Sequence, residues 1–436
     1  MTADVRPIRT AAETALVEAF DAARARLQPS EIARRDAAFA TLRDAGLPHR
    51  RVEEWKYTDL RAAMREARPV AAANDAATVA AAGAALAGHE GLAPARIVLV
   101  NGQHVPGLSD VSALAGVEVV PLSRAIAENH PLVGRLGEGR APSANAAVAL
   151  ASAFADDGVI LHVPAGTEAG TLHIAVHQQG EGHAAFARVL VVVEEGASVT
   201  VVETHTGAGA HQTASLVEFL VGDGATASHV KLQDEDRRSL HLGTLAVTLG
   251  AGAKLVSGGL ARGAQLSRQQ AFVTFAGADA HATIAGVMLA GGRRHMDTTL
   301  VVDHLAPGGE SRERFKLVLA DDARGVFQGR INVAREAQKT DGQMKADALL
   351  LGEGAEADLK PELEIFADDV LCAHGATAGD LDEELLFYLL ARGIPRKEAE
   401  TLLVTAFAGE ALEVIADEAL RERFADWAAQ WLADRV

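Results

Sequence analysis

The segments EGASVTVVE (195–203), DGATASHVKL (223–232) and AGAKLVSGG (251–259) open alike: a glycine, a small residue, then a run of β-branched and apolar side chains. The figure recurs upstream as AGTEAGTLHI (165–174) and downstream as AGADAHATIAG (276–286) and EGAEADLKPELEI (353–365). Its glycines are Gly166, Gly196, Gly224, Gly252, Gly277 and Gly354, in steps of 30, 28, 28, 25 and 77, the last close to three ordinary steps. Strand-like runs fill the same region: IVLV at Ile97, GVILHV at Gly158, TLHIAV at Thr171, RVLVVVEE at Arg188 and SVTVVE at Ser198. One such unit cannot bury its own apolar face, so a fixed strand-turn period predicts a stacked solenoid, here a β-helix over roughly 145–375. A two-sheet sandwich or barrel is the competing all-β reading, because it also spaces short strands evenly. The regular glycine step favours the solenoid.

Outside this region the pattern turns helical. AAETALVEAFDAARARLQPSEIARRDAAFATLRDA (11–45) places apolar residues three and four apart and predicts two helices broken at Pro29-Ser30. The Ala-rich stretch from Ala71 to Gly88 reads as helix or linker. From Asp380 the helical period returns, with Asp382 as N-cap, Gly393 as a stop and Pro395 where the next helix begins. Leu412, Ile415, Leu420, Phe424, Trp427 and Trp431 form its apolar positions. These terminal helices are read either as a cover for the open end of the solenoid or as a partner-binding module. The resulting division is a helical region at 1–95, a β-helix core at 96–375 with a transitional segment at 96–145, and a helical region at 376–436.

Composition narrows the function. Of 436 residues, 41 are Lys or Arg and 59 Asp or Glu, so the net charge of −18 disfavours a phosphate backbone or an anionic membrane surface as partner. Aromatic residues are 4 %, which leaves a core of Ala, Val and Leu suited to closely stacked layers. The single cysteine, Cys372, excludes an internal disulfide framework and any iron-sulfur cluster held by this chain's thiolates alone, and fits a reducing compartment. With no membrane-length apolar run and no signal-peptide core, the expected location is cytoplasmic.

Common catalytic signatures are missing. There is no Walker A loop, no G-x-S-x-G elbow and no H-E-x-x-H helix. GDGATA at Gly222 and GEGAEA at Gly352 precede extended segments, where a dinucleotide site needs a helix N-terminus, so both read as solenoid turns. The acidic pairs Asp321-Asp322 and Asp368-Asp369 read as solvated turns, since adjacent strand residues face opposite ways. Histidines crowd the β region (His162, His173, His177, His205, His211, His229, His241, His281, His295 and His304), each taken singly as a surface or hydrogen-bonded strand residue. His173 and His177 would lie ~13 Å apart along one strand, too far to share an ion. Cys372-Ala373-His374 is different, because residues i and i+2 of a strand project from one face and carry thiolate and imidazole, ligand types for zinc or iron-sulfur centres. Two ligands do not complete a site. A partner would supply the rest, or the pair is a buried thiol beside a histidine on the last rung.

The long segment QGRINVAREAQKTDGQMKADALLLGEGAEADLKPELEIFADDVLCAHGATAGDLDEELLFYLLARGI (328–394) resembles the SufB/SufD family of iron-sulfur cluster assembly proteins. RVEEWKYTDL (51–60) and HMDTTLVVDHLAPGGESRERFKLVL (295–319) extend the likeness over the N-terminal region, the β body and the C-terminal helices. LEIFADDVLCAHGAT, FYLLARGI, the modest length and the lack of further cysteines match the shorter, cysteine-poor branch of that family. The resemblance implies a mainly β fold, with a right-handed parallel β-helix core flanked by helical domains at both ends.

The resemblance also implies a role as a non-catalytic scaffold subunit. This chain would pair with a SufB-type chain through the β-helix and bind a SufC-type ATPase through its C-terminal helices, so the nucleotide site would lie in that partner. A transient iron-sulfur cluster would form at the interface, shared with the SufB-type chain, with His374 as the preferred ligand and Cys372 as its neighbour. Leu385, Leu386, Phe387 and Tyr388 would belong to the ATPase-facing helical region or pack on the β-helix end. ATP-driven ATPase dimerisation would rotate the two scaffold subunits and expose the buried interface. A reduced flavin is associated with such complexes, although no flavin motif is visible here, and two copies of this chain pairing in the partner's absence is a further expectation. Two other readings compete: a homo-oligomeric β-helix interaction scaffold, in which Cys372 and His374 tolerate replacement, and a metal-dependent β-helix enzyme, which needs a ligand cluster on one solenoid face that the sequence does not reveal.

Overall fold

The computed structural model describes residues 9–434. Its centre is a parallel solenoid of two sheets, of ten and nine strands, between which successive strands alternate. Within the larger sheet the strands stack in register through Ser198, Thr226, Lys254, His281, Glu310, Asp341 and Leu371. Each strand therefore pairs in parallel with the next but one in the chain. Sandwich strands joined by tight hairpins would pair antiparallel with their immediate successors, so the competing all-β reading is set aside.

The repeated glycine marks one corner of each rung. Gly166, Gly196, Gly224 and Gly252 all have φ between 63° and 67°. Each N–H donates to the carbonyl just before the corresponding residue of the next rung, a ladder continued by Asp279, Gly308 and Lys339 at 2.7–2.9 Å. Two glycines of the sequence figure lie off this ladder. The left-handed position beside Gly277 is taken by Asp279 at φ 56°, and Lys339 takes the last at φ 64°. Gly277 serves close approach instead, since a Cβ there would stand 2.0 Å from the Ala251 nitrogen. Asp tolerates the left-handed region better than most residues, so the true period continues through a residue that a glycine search misses.

Both flanks are covered by helices. Ala11–Arg24 starts with a capping box of Thr10 and Glu13, and Pro29–Ala45 has Pro29 in its first turn. Phe20 and Phe39 stack at 4.2 Å with Phe154 edge-on, which seats this pair on the buried helix Ala146–Phe154 and so on the outer face of the nine-stranded sheet. The Ala-rich stretch contains the helix Ala76–Ala85, capped by Asp75. Trp55 anchors the intervening segment: its ring lies 4.0 Å beneath the buried guanidinium of Arg268, which pairs with Asp297 and donates to the Glu54 carbonyl at 2.6 Å. Thr58 also pairs with Asp297 and meets His295 Nε2 at 2.7 Å. RVEEWKYTDL is thus a clamp between the N-terminal region and the solenoid.

Glu383–Ala391, Arg396–Leu412 and Glu418–Ala433 form the C-terminal helices. Val404, Ala408, Leu412, Ile415, Leu420, Phe424, Trp427 and Trp431 bury themselves against Val230, Leu232, Leu260, Val287 and Val318, outward residues of the ten-stranded sheet. The helices therefore cover the solenoid's flank, which corrects the expectation that they close its end. The reason is the apolar outer face of that sheet, which would otherwise meet water.

Candidate functional site

The solenoid's last rung, Glu356–Ile365 and Leu371–Gly379, supplies the outer strand of both sheets. On Leu371–Gly379, Cys372, His374 and Ala376 sit beside Gly342, Met344 and Ala346. Met344 and Ala346 belong to the interior core, so the parity of the strand turns Cys372 and His374 inward as well. Cys372 packs half-buried against that core, and burial, aided by nearby Asp341 and Glu313, pushes its thiol up. His374 is exposed, although it stands on an inward face, because among the described residues no further rung lies over it. Phe366 and Leu371 at the rim are 64 % and 71 % exposed. The predicted i, i+2 arrangement is therefore present, at an apolar rim with unpaired strand edges.

Directly beneath His374, two strands in, Glu313 sits beside Met344. Burial pushes its carboxyl up to about 8, so it is predominantly protonated at neutral pH. The helix after the rung divides the four apolar residues singled out there. Leu386 is buried, whereas Leu385, Phe387 and Tyr388 are exposed on a nine-residue helix.

Histidines taken singly in the sequence meet in space. His173 Nε2 lies 2.8 Å from Thr204 Oγ1 and His177 Nδ1 2.8 Å from Thr206 Oγ1, so both are satisfied strand residues. His205, Glu235 and His241, by contrast, converge inside the solenoid. The sequence reading found no ligand cluster, and this group corrects it. The available signal was parity: Glu203 and His205 continue the inward series Val199 and Val201, and His241 shares the inward parity of Leu245 and Val247.

Comparison with known proteins agrees with this architecture. Residues 175–407 match the profile described as "SUF system FeS cluster assembly, SufBD core domain", and residues 11–172 match "SufBD protein N-terminal region". These two matches, which together span most of the solenoid and the N-terminal region, define the class: a protein of iron-sulfur cluster assembly. The chain belongs to the SufB/SufD family, and its relatives place it on the SufD side. It is 33 % identical to the iron-sulfur cluster assembly protein SufD of Escherichia coli over 87 % of this chain and 88 % of the relative. Identity is 30 % to a SufBD family protein of Synechocystis, covering 89 % of this chain and 88 % of the relative. SufB of Bacillus subtilis is 28 % identical over 61 % of this chain and 58 % of its own length. Among the described residues no helix is long and apolar enough to cross a membrane.

Proposed function

We propose that this chain is the SufD-type subunit of a SufB, SufC and SufD scaffold, in which it offers His374 to an iron-sulfur cluster being built at the interface with a SufB-type chain. The supporting observation is His374 itself: an exposed imidazole on the inward face of the last rung, the rung whose corner also exposes Phe366 and Leu371. Unpaired edges of both sheets invite backbone pairing from a partner of similar architecture. Such a partner would cover His374 and Cys372 together and bring its own thiolates to them. A neutral imidazole beside partner thiolates is a suitable additional ligand for a cluster. The cluster is cargo, assembled and passed on. Cys372, its thiol pushed up by burial, is the weaker ligand until a metal or partner draws off its proton.

The exposed face of Glu383–Ala391, with Leu385, Phe387 and Tyr388, is the proposed contact for the SufC-type ATPase, and Leu386 anchors that helix from below. In this reading hydrolysis takes place in that partner, and this chain contributes no nucleotide site. Any reduced flavin in the complex would also be bound outside the motifs of this sequence. The location in this reading is cytoplasmic.

Co-expression with SufB-type and SufC-type chains, followed by anaerobic reconstitution, tests the assignment. The complex is expected to form with native chain and with His374→Ala alike, while only the native complex gains the visible absorption of a cluster. Equal cluster yield from His374→Ala would show that the chain serves as a structural and coupling partner without a cluster ligand.

A further inference from the structure

The interior of the solenoid is apolar near the glycine corner and polar near the opposite one. Glu203 and His205 on Ser198–Ala208, His229 and Lys231 on Thr226–Asp234, and His241 on Leu240–Leu249 share parity with interior apolar residues of their strands. Glu235 follows the second of these strands. Glu203, His205, His229, Glu235 and His241 are all at most 3 % exposed.

Three of them converge. His205, Glu235 and His241 each offer a ligand atom, and the three atoms lie within 4.8 Å of one another. The two imidazole centroids are 4.8 Å apart, ring against edge. Around them the neighbours are already arranged to orient ligands. Glu203 takes His205 Nε2, leaving His205 Nδ1 with no hydrogen-bond partner among the described residues. Glu203 is itself held by His229 Nε2 at 2.8 Å and Lys231 Nζ at 3.4 Å. Glu235 Oε1 accepts from Thr213 Oγ1 at 2.8 Å and faces His211 Nε2 at 3.3 Å, and Oε2 accepts from Gln233 Nε2 at 2.9 Å. His241 Nδ1 stands 2.6 Å from Glu235 Oε2, and its Nε2 has no hydrogen-bond partner among the described residues. The glycine at 243 keeps this space open, since a Cβ there would lie 2.7 Å from both His241 Nε2 and Lys231 Nζ.

Buried ring nitrogens left unpaired are costly, and they are rare where nothing occupies the gap. Glu203 and Glu235 are both buried, and Lys231 Nζ lies 3.4 Å from Glu203. The corner thus gathers two carboxyl groups, one ammonium and several imidazoles largely away from water. We propose that His205, His241 and Glu235 bind a first-row divalent metal ion, Zn2+ or Fe2+, in the interior of the solenoid, separate from the pair at its open end.

Two imidazoles and one carboxylate are the donor set these ions share. Glu203 behind His205 reproduces the carboxylate-histidine-metal arrangement that fixes a ring's tautomer and direction. His205 Nδ1 and His241 Nε2, which have no hydrogen-bond partner among the described residues, are the ring atoms open to an ion. An ion here would tie Ser198–Ala208 to the segment after Thr226–Asp234 and to Leu240–Leu249 of the facing sheet, across the polar corner. Because the ligands are closed to solvent, the ion would enter during folding. This site does not depend on the cluster-assembly role of His374.

The test uses the full chain carrying Cys372→Ser and His374→Ala, so that the open-end pair contributes no ligand. It is purified from cells grown with added Zn2+ or Co2+, desalted, and its metal content measured by mass spectrometry. The expected result is about one ion per chain, and for Co2+ visible d–d absorption without a thiolate charge-transfer band. His205→Gln and His241→Gln, checked for fold by circular dichroism, are each expected to lower retained metal at least tenfold. Absence of metal from the parent chain would overturn the proposal without reference to any buried variant. Undiminished metal in folded His205→Gln and His241→Gln would overturn it equally, leaving the corner as a self-contained network of ion pairs.

Discussion

The two ends of the solenoid are built in opposite ways. At the N-terminal end the first rung is closed by antiparallel strands: Gln103–His104 folds back on Ala95–Val100, and Glu118–Pro121 lies against Gly158–Val163. Ile97 and Leu99 are buried there. At the C-terminal end Glu356–Ile365 and Leu371–Gly379 end their sheets with edges bare and rim side chains in water. Long unpaired edges are hazards for aggregation, and natural folds blunt them wherever nothing is meant to bind. One end is blunted and the other is kept open, and the open end carries His374. The open end is where the proposed pairing with another chain would take place.

Substitutions at the open rim should break that asymmetry most. Phe366→Asp with Leu371→Asp is expected to weaken binding to the SufB-type chain by about a hundredfold or more, roughly 3 kcal/mol, read by gel filtration or calorimetry. The stability of the isolated chain should hardly change, because both side chains are already hydrated. Partner binding unaffected by the double substitution would place the interface elsewhere.

Single truncations sharpen the same contrast within the isolated chain. Leu99→Ala at the closed end should cost about 2–5 kcal/mol in urea unfolding, through lost transfer energy and a cavity. Leu371→Ala should cost less than ~0.5 kcal/mol. Comparable losses would mean that the open end is covered in solution, as self-pairing of the chain would do.

A pH-dependent effect concerns Glu313, buried just below the open end. Its folded carboxyl is raised to about 8 from an ordinary 4.5, so its contribution to stability is fully present below 4.5 and lost as pH rises through 8. Glu313→Gln should therefore match the native chain near pH 4. By pH 8 it should be more stable by several kcal/mol, roughly 4, measured by urea midpoints across pH. A gap that narrows with rising pH would contradict the burial argument.

Acid should weaken the chain as a whole by the opposite sign. Burial lowers His173 to about 3 and His304 to about 4, below the ordinary 6.5. Their contribution is present above 6.5 and lost as pH falls through those values. Thermal midpoints should accordingly decline between pH 6.5 and 4, and a flat profile across that window would count against neutral buried rings.

Much of the architecture was legible in the residues. The glycine step carried the rung length because a left-handed corner recurs at each turn, and Asp382, Gly393 and Pro395 marked helix ends by local chemistry alone. Cys372 and His374 were legible for the same reason: two residues apart on a strand, they must share a face. Lys339 and Asp279 were not, since nothing local reveals that a charged residue holds a left-handed corner. Trp55 was visible as a motif but not as a clamp, because Arg268 and Asp297, which fix it, lie more than two hundred residues on.

By itself the sequence determined a periodic β body with helical termini and the family to which the chain belongs, because both are written in local spacing and in runs of matching residues. Only the tertiary structure decided which flank the C-terminal helices cover, which end of the solenoid stays open, and that His205, Glu235 and His241 meet. Period-two alternation tells which residues share a face but not which face is inside. Contacts between rungs some 30 residues apart are set by how the turns stack.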